Sequence, residues 1–162
     1  MAQIEERLSH VCREHGVTIA TAESCTGGLV AHRITNVAGS SEYFLMGAVT
    51  YSNASKASLL GVPEQLIAAH GAVSSEVAVA MATGARNVSG CGVAVGTTGI
   101  AGPEGATETK PVGLIYVAVA SAAGTRSRKC NFSGDRHTIK EQAAEAALEI
   151  VIQEIQTLCD PR

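Results

Sequence analysis

Apolar residues recur at helical spacing over residues 3–15, where Ile4, Leu8, Val11, Cys12 and His15 fall on one side and Gly16 follows as a stop. The pattern predicts an amphipathic helix. Residues 17–22 (VTIATA) are short and rich in β-branched side chains, the pattern of a buried strand. Residues 26–35 (TGGLVAHRIT) read as a helix with Gly27 and Gly28 in its first turn, and 43–51 (YFLMGAVTY) as a second strand. A short helix over 53–60 is capped by Asn53, and Pro63 opens another over 63–69 that ends at His70-Gly71. Ser74 or Ser75 caps a further helix reaching to about residue 87. The near-continuous apolar runs 91–97 and 112–121 suit central strands, and the polar alternation of 125–132 suits an edge. Asp135 caps a last, long helix whose Ile139, Ala143, Ala146, Ile150, Val151, Ile155 and Leu158 keep one face apolar. Strands alternating with helices predict a three-layer α/β/α sandwich with a mostly parallel or mixed sheet, as one domain over 1–162.

Composition narrows the function. Fifteen acidic and twelve basic residues give a net charge of −3, with no Lys/Arg cluster, which argues against a general nucleic-acid binder. Aromatics make up 3% and Trp is absent, so stacking platforms for bases or sugars are not expected. The core must be Ala, Val, Ile and Leu, packed closely with help from 17 glycines. The longest apolar run, Leu114 to Ala120, has strand length, and the charged N-terminus lacks the apolar core of a signal peptide, so no membrane partner is expected. Five scattered cysteines without zinc spacing, and five histidines that do not cluster, point to a reduced cytoplasmic protein with no metal and no cofactor. Ala-rich helix faces and sparse charge lead to the expectation of a homo-oligomer.

Four segments carry candidate chemistry. In TAESCTGG (21–28), a strand runs into a turn and then a helix start, so Ser24 or Cys25 would lie beside unsatisfied N–H groups suited to a developing oxyanion. A plain capping serine ahead of close-packing glycines uses the same residues. In YSNASK (51–56), Lys56 sits one turn into a helix after a strand end. If that strand neighbours 17–22, Lys56 reaches Ser24 and acts as a base once an apolar pocket lowers its pKa; a solvated helix lysine is the plainer reading. The Gly/Pro-rich loop 99–111, with GTTGIAGPEG (96–105) at its start, is either a wrap around a nucleotide or a connector. In FSGDR (132–136), Arg136 occupies a helix first turn, where the dipole disfavours a cation. It either binds a phosphate or carboxylate, or pairs with Glu141.

Together these segments resemble the CinA C-terminal domain family, whose enzymatic members are nicotinamide-nucleotide amidohydrolases. The resemblance rests on TAESCTGG (21–28), AGSSEYF (38–44), YSNASK (51–56), LLGV (59–62), HGAVS (70–74), GIAGPEG (99–105), KPVG (110–113) and FSGDR (132–136), in the family's order and across nearly the whole chain. It implies a stand-alone domain that hydrolyses the carboxamide of nicotinamide mononucleotide to nicotinic acid mononucleotide and ammonia. It also implies Ser24 as nucleophile, Lys56 as general base and Tyr51 as a relay or orienting group. Cys25, Thr26, Gly27 and Gly28 would surround the oxyanion, Thr98, Gly99, Ala101 and Gly102 would line the substrate, and Arg136 would bind its phosphate. Three positions depart from the pattern: Ala54-Ser55 where an acidic residue commonly precedes Ala, Ala106-Thr107 where a further Gly is usual, and Lys140 where Arg is common. Two rival readings stand beside the enzyme: a non-catalytic nucleotide-binding or interaction module of the competence/damage-inducible type, and a Cys25-dependent amidase acting on another small amide.

Overall fold

The computed structural model describes residues 1–160, so the last two positions of the expected 1–162 domain lie outside the described residues. The element order is α1 (Ile4–His15), β1 (Ile19–Glu23), α2 (Leu29–Thr35), β2 (Phe44–Val49), α3 (Asn53–Leu60), α4 (Glu64–His70), α5 (Ser75–Ser89), β3 (Val93–Gly99), β4 (Leu114–Ser121), β5 (Gly124–Asn131) and α6 (Arg136–Cys159). The sheet order is β2-β1-β3-β4-β5. β1 is parallel to both β2 and β3, while β3-β4 and β4-β5 are antiparallel, so the sheet is mixed. Helices α1, α2 and α6 cover one face and α3, α4 and α5 the other, giving an α/β/α sandwich.

The two faces are built from different side chains. Ile19, Val93, Val95, Ile115 and Val117 point into the cluster under α1, α2 and α6, where the buried residues of α6 run from Ile139 to Ile155. Small residues, Ala20, Ala22, Ala94, Ala118 and Ala120, face α5. They let that helix settle against the sheet so closely that a Cβ at Gly96 would stand 2.6 Å from the Ala78 carbonyl oxygen. An Ala-rich sequence with few aromatics thus reaches a close-packed interior by bringing backbones together.

Several boundaries differ from expectation. Gly27 and Gly28 do not open α2: both adopt positive φ (60° and 100°), which a right-handed helix excludes, so they form a turn and the helix begins at Leu29. Ser52, rather than Asn53, caps α3. Its Oγ accepts from Ser55 N at 3.1 Å, and Ser55 Oγ accepts from Ser52 N. Ser74 is the cap of α5, through Val77 N. A short 3₁₀ turn at Ser40–Glu42 precedes β2. Among the described residues no helix is long and apolar enough to cross a membrane.

The connectivity sets the location of the site. After β1 the chain crosses to β2 on one side, then returns past β1 to β3 on the other. The carboxyl ends of β2 and β3 therefore diverge around the end of β1, the position at which α/β sheets open a crevice. β1 ends at Glu23-Ser24 at that crevice.

Candidate active site

Two backbone bonds hold the end of β1 between its neighbours. Ser24 N donates to Thr97 O at 3.0 Å, and Thr50 N donates to Glu23 O at 2.8 Å. Glu23, buried at this point, turns its carboxylate to the start of α2. Oε1 accepts from Thr26 Oγ1 at 2.6 Å and Val30 N at 2.8 Å, and Oε2 accepts from Ala31 N at 3.1 Å. Thr26 Oγ1 also shares a 2.8 Å hydrogen bond with Thr97 Oγ1. An acid at the positive end of a helix, satisfied by two backbone N–H groups and a hydroxyl, is a rigid anchor for the turn that carries Ser24.

Lys56 comes to the same point from α3. It lies on the inward face of that helix with Leu60, one turn apart, and is 1% exposed. Its Nζ donates to Thr50 O at 2.8 Å and lies 2.9 Å from Ser24 Oγ. Among the described residues no carboxylate forms an ion pair with it. Desolvation lowers its pKa from the ordinary 10.5, opposed in part by Cys25. Such an amine gives up its proton more readily than a solvated lysine, and its lone pair is then available to the Ser24 hydroxyl proton. Cys25 is also buried, and the same desolvation pushes its thiol up to about 12. Among the described residues Lys56 Nζ bonds the Ser24 hydroxyl and not the thiol, so the amine at this turn is placed to take a proton from Ser24 while Cys25 stays protonated.

A cavity of about 310 Å³ opens over this pair, within the range of small-molecule sites. Its wall brings together nine of the residues singled out in the sequence: Ser24, Cys25, Tyr51, Lys56, Thr98, Gly99, Ala101, Gly102 and Arg136. Thr26, Gly27 and Gly28 are not among the residues of this wall. Thr26 is fully buried behind the turn, and the Gly27 N–H is taken by Ser24 O at 3.0 Å. Cys25 therefore supplies the remaining cavity-lining part of that turn. Tyr51 is largely exposed and sits at the rim, its hydroxyl accepting from Arg136 Nη2 at 2.9 Å. It does not stand between Lys56 and Ser24, which meet directly. Arg136 Nη1 donates to Gly102 O at 2.7 Å, so this first-turn cation binds the glycine loop rather than Glu141, whose carboxylate faces Arg33 and His137. Thr98 uses its hydroxyl to hold the opposite wall, donating to Ala72 O at 2.7 Å.

Asn53, Ala72, Val73, Ile100, Glu104 and Gly105 also line the cavity; sequence reasoning names Asn53 only as a helix cap and covers Ile100, Glu104 and Gly105 only as part of the loop segment 96–105. Asn53 lies inside YSNASK, and Ala72-Val73 inside HGAVS, so both segments carried a signal without an assignment. Glu23 was placed in the turn but not recognised as its anchor.

Comparison with known proteins fits this arrangement. Residues 1–155 match the family described as the CinA C-terminal domain. A CinA-like protein of Geobacter sulfurreducens is 53% identical over 146 residues, which cover 90% of this chain and 35% of that protein. The chain thus spans about a third of the length of the curated relatives it matches. Among solved structures, the competence/damage inducible protein CihA from Agrobacterium tumefaciens superposes with a TM-score of 0.88 at 38% identity, covering 94% of this chain and 98% of that one. A CinA superfamily protein from Klebsiella pneumoniae reaches 0.90 at 29% identity, covering 95% and 98%. On these matches the chain belongs to the CinA C-terminal domain family.

Proposed function

We propose that this chain is an amidohydrolase that cleaves the carboxamide of nicotinamide mononucleotide to nicotinic acid mononucleotide and ammonia, with Ser24 as nucleophile and Lys56 as general base. The observation that carries the reading is the 2.9 Å approach of a buried, unpaired lysine amine to the Ser24 hydroxyl at the floor of the cavity. A merely structural lysine would have a carboxylate partner or reach water.

In the acylation step, neutral Nζ of Lys56 takes the Ser24 proton as Oγ forms a bond to the amide carbon. The Cys25 N–H faces the developing oxyanion. The resulting ammonium gives its proton to the amide nitrogen, the C–N bond breaks and ammonia leaves. Water then loses a proton to Nζ and attacks the ester; the acid departs as Oγ regains its proton. The Thr50 carbonyl oxygen holds Nζ in line throughout. Arg136, with donors beyond the two used on Gly102 and Tyr51, takes the phosphate at the rim, and Tyr51 orients it. Binding energy from that remote contact positions the ring and favours nucleotide over free nicotinamide.

The test is ammonia release on mixing purified protein with nicotinamide mononucleotide, repeated with Ser24→Ala. Release by the parent and its abolition in a variant that melts like the parent support the reading. A variant that loses only a few-fold in rate overturns Ser24 as nucleophile. A parent that binds the nucleotide without releasing ammonia is a binding module and not an amidase.

A further inference from the structure

Glu104, exposed at the rim, is the only acidic residue lining the cavity among the described residues. The other acid nearby, Glu23, lies behind the turn with both oxygens engaged. Glu104 forms no ion pair among the described residues, and the two basic groups of the same wall ignore it. Lys56 bonds Thr50 and Ser24, and Arg136 bonds Gly102 and Tyr51. One cavity therefore keeps a free acid and a guanidinium without letting them neutralise each other. The loop that carries the acid is exposed over residues 103–109 and tied down at its two ends. Ile100 N donates to Leu114 O at 2.9 Å and Gly113 N donates to Ile100 O at 2.8 Å. Gly102 packs so tightly on Val112 that a Cβ would stand 2.5 Å from its Cγ1. Lys110 Nζ donates to His70 O at 2.7 Å, pinning the far side of the loop to the end of α4.

We propose that Glu104 is a specificity-determining residue that selects a ligand with a cationic ring, while Arg136 takes the anionic end of the same molecule. The proposal rests on the amidohydrolase reading and names the charge state of its substrate: an oxidised pyridinium nucleotide, in preference to the dihydropyridine form with the same carboxamide and phosphate but no ring charge. Attraction between the carboxylate and the ring nitrogen lowers KM and leaves the acyl-transfer step unchanged.

Steady-state ammonia release is measured at pH 8 for the parent and Glu104→Gln, with oxidised and reduced nicotinamide mononucleotide. The ratio of variant to parent, taken for each nucleotide separately, cancels their intrinsic reactivities. The expected result is a loss of about fivefold in kcat/KM for the oxidised nucleotide, carried by KM and shrinking at high salt, as befits a partly screened charge. The reduced nucleotide is unaffected. Equal losses for both nucleotides, or none for either, overturn the proposal. Calorimetric titration of both nucleotides into Ser24→Ala and Ser24→Ala/Glu104→Gln separates the two claims. If the parent releases no ammonia the amidase reading fails, and the ratio of Kd values still decides the role of Glu104. If neither nucleotide binds, both fall.

Discussion

Lys56 and Glu154 are both withdrawn from solvent, at 1% and 3% exposure, and the chain treats the two charges in opposite ways. Glu154, on the sheet-facing side of α6, is fully partnered. Ser121 Oγ donates to Oε1, and Arg126 places Nε 2.8 Å from Oε2 with Nη2 on the same oxygen. Among the described residues Lys56 has only a carbonyl and a hydroxyl. Arg126 and Ser121 together satisfy the Glu154 carboxylate and tie β4, β5 and α6 to one another. A buried amine without a counter-ion loses its proton more easily, which suits it to act as a base. The partnered carboxylate lies at the antiparallel side of the sheet, the proposed base at the crevice where the parallel strands diverge.

The largest expected effect separates the two in activity. Lys56→Met lowers the rate of ammonia release by about 10²–10⁴-fold, the span of a lost general base, while the melting temperature holds or rises. The pH dependence carries the same signature. In the proposed mechanism neutral Lys56 is the reactive form, and its folded pKa is depressed, so the rate is expected to climb with pH and level off below the ordinary 10.5. Between the folded value and 10.5 the unfolded chain binds the extra proton, so stability relative to Lys56→Met rises with pH across that window. A variant within threefold of the parent, or a rate that falls as pH rises through this range, would break the contrast.

Arg126→Ala is the counterpart at the inert site, and its effect is on stability. It leaves Glu154 buried with Ser121 alone and costs about 1–3 kcal/mol in denaturant unfolding, toward the low end because Arg126 is half exposed. Glu154→Leu removes the buried charge itself and leaves Arg126 to water, so it costs less. Both variants keep the parent rate of ammonia release. Glu154→Leu proving the more damaging of the two would mean the carboxylate contributes more than its own satisfaction.

The fold was legible wherever a local rule acts alone. Gly16 at the end of α1, His70-Gly71 at the end of α4, the apolar stripe of α6 and the Asp135 cap follow from spacing and side-chain chemistry, and the structure keeps them. The polar edge of β5 was equally plain. Reading failed where a tertiary partner decides. Gly27 and Gly28 looked like a helix start because nothing in the sequence announces a positive φ. Tyr51 is adjacent in sequence to the reacting elements, yet its ring angle is settled by Arg136, 85 residues away. Ala72-Val73 becomes a cavity wall only because Thr98 binds it from β3. The pairing of Ser24 with Lys56 depended on β2 lying beside β1, which the strand pattern permits and only the register fixes.

The smallest expected effect is at Cys25, next to the proposed nucleophile. Burial acts on Cys25 and Lys56 alike and moves their pKa values in opposite directions, up for the thiol and down for the amine. The sense is the same for both: burial works against the charged form. Neutrality has opposite chemical meanings for the two groups, because a neutral amine carries the lone pair of a base while a neutral thiol has lost the charge that makes sulfur a nucleophile. With a pKa of about 12, only about one thiol in ten thousand is ionised at pH 8. Cys25→Ala therefore retains ammonia release within about threefold, as a side chain that packs without reacting. An alkylating reagent inhibits the parent, if at all, by filling the cavity beside Ser24, and the alanine variant is indifferent to it. Loss of activity in Cys25→Ala comparable to that in Ser24→Ala would move the nucleophile one residue along the turn and make Lys56 the partner of a thiol.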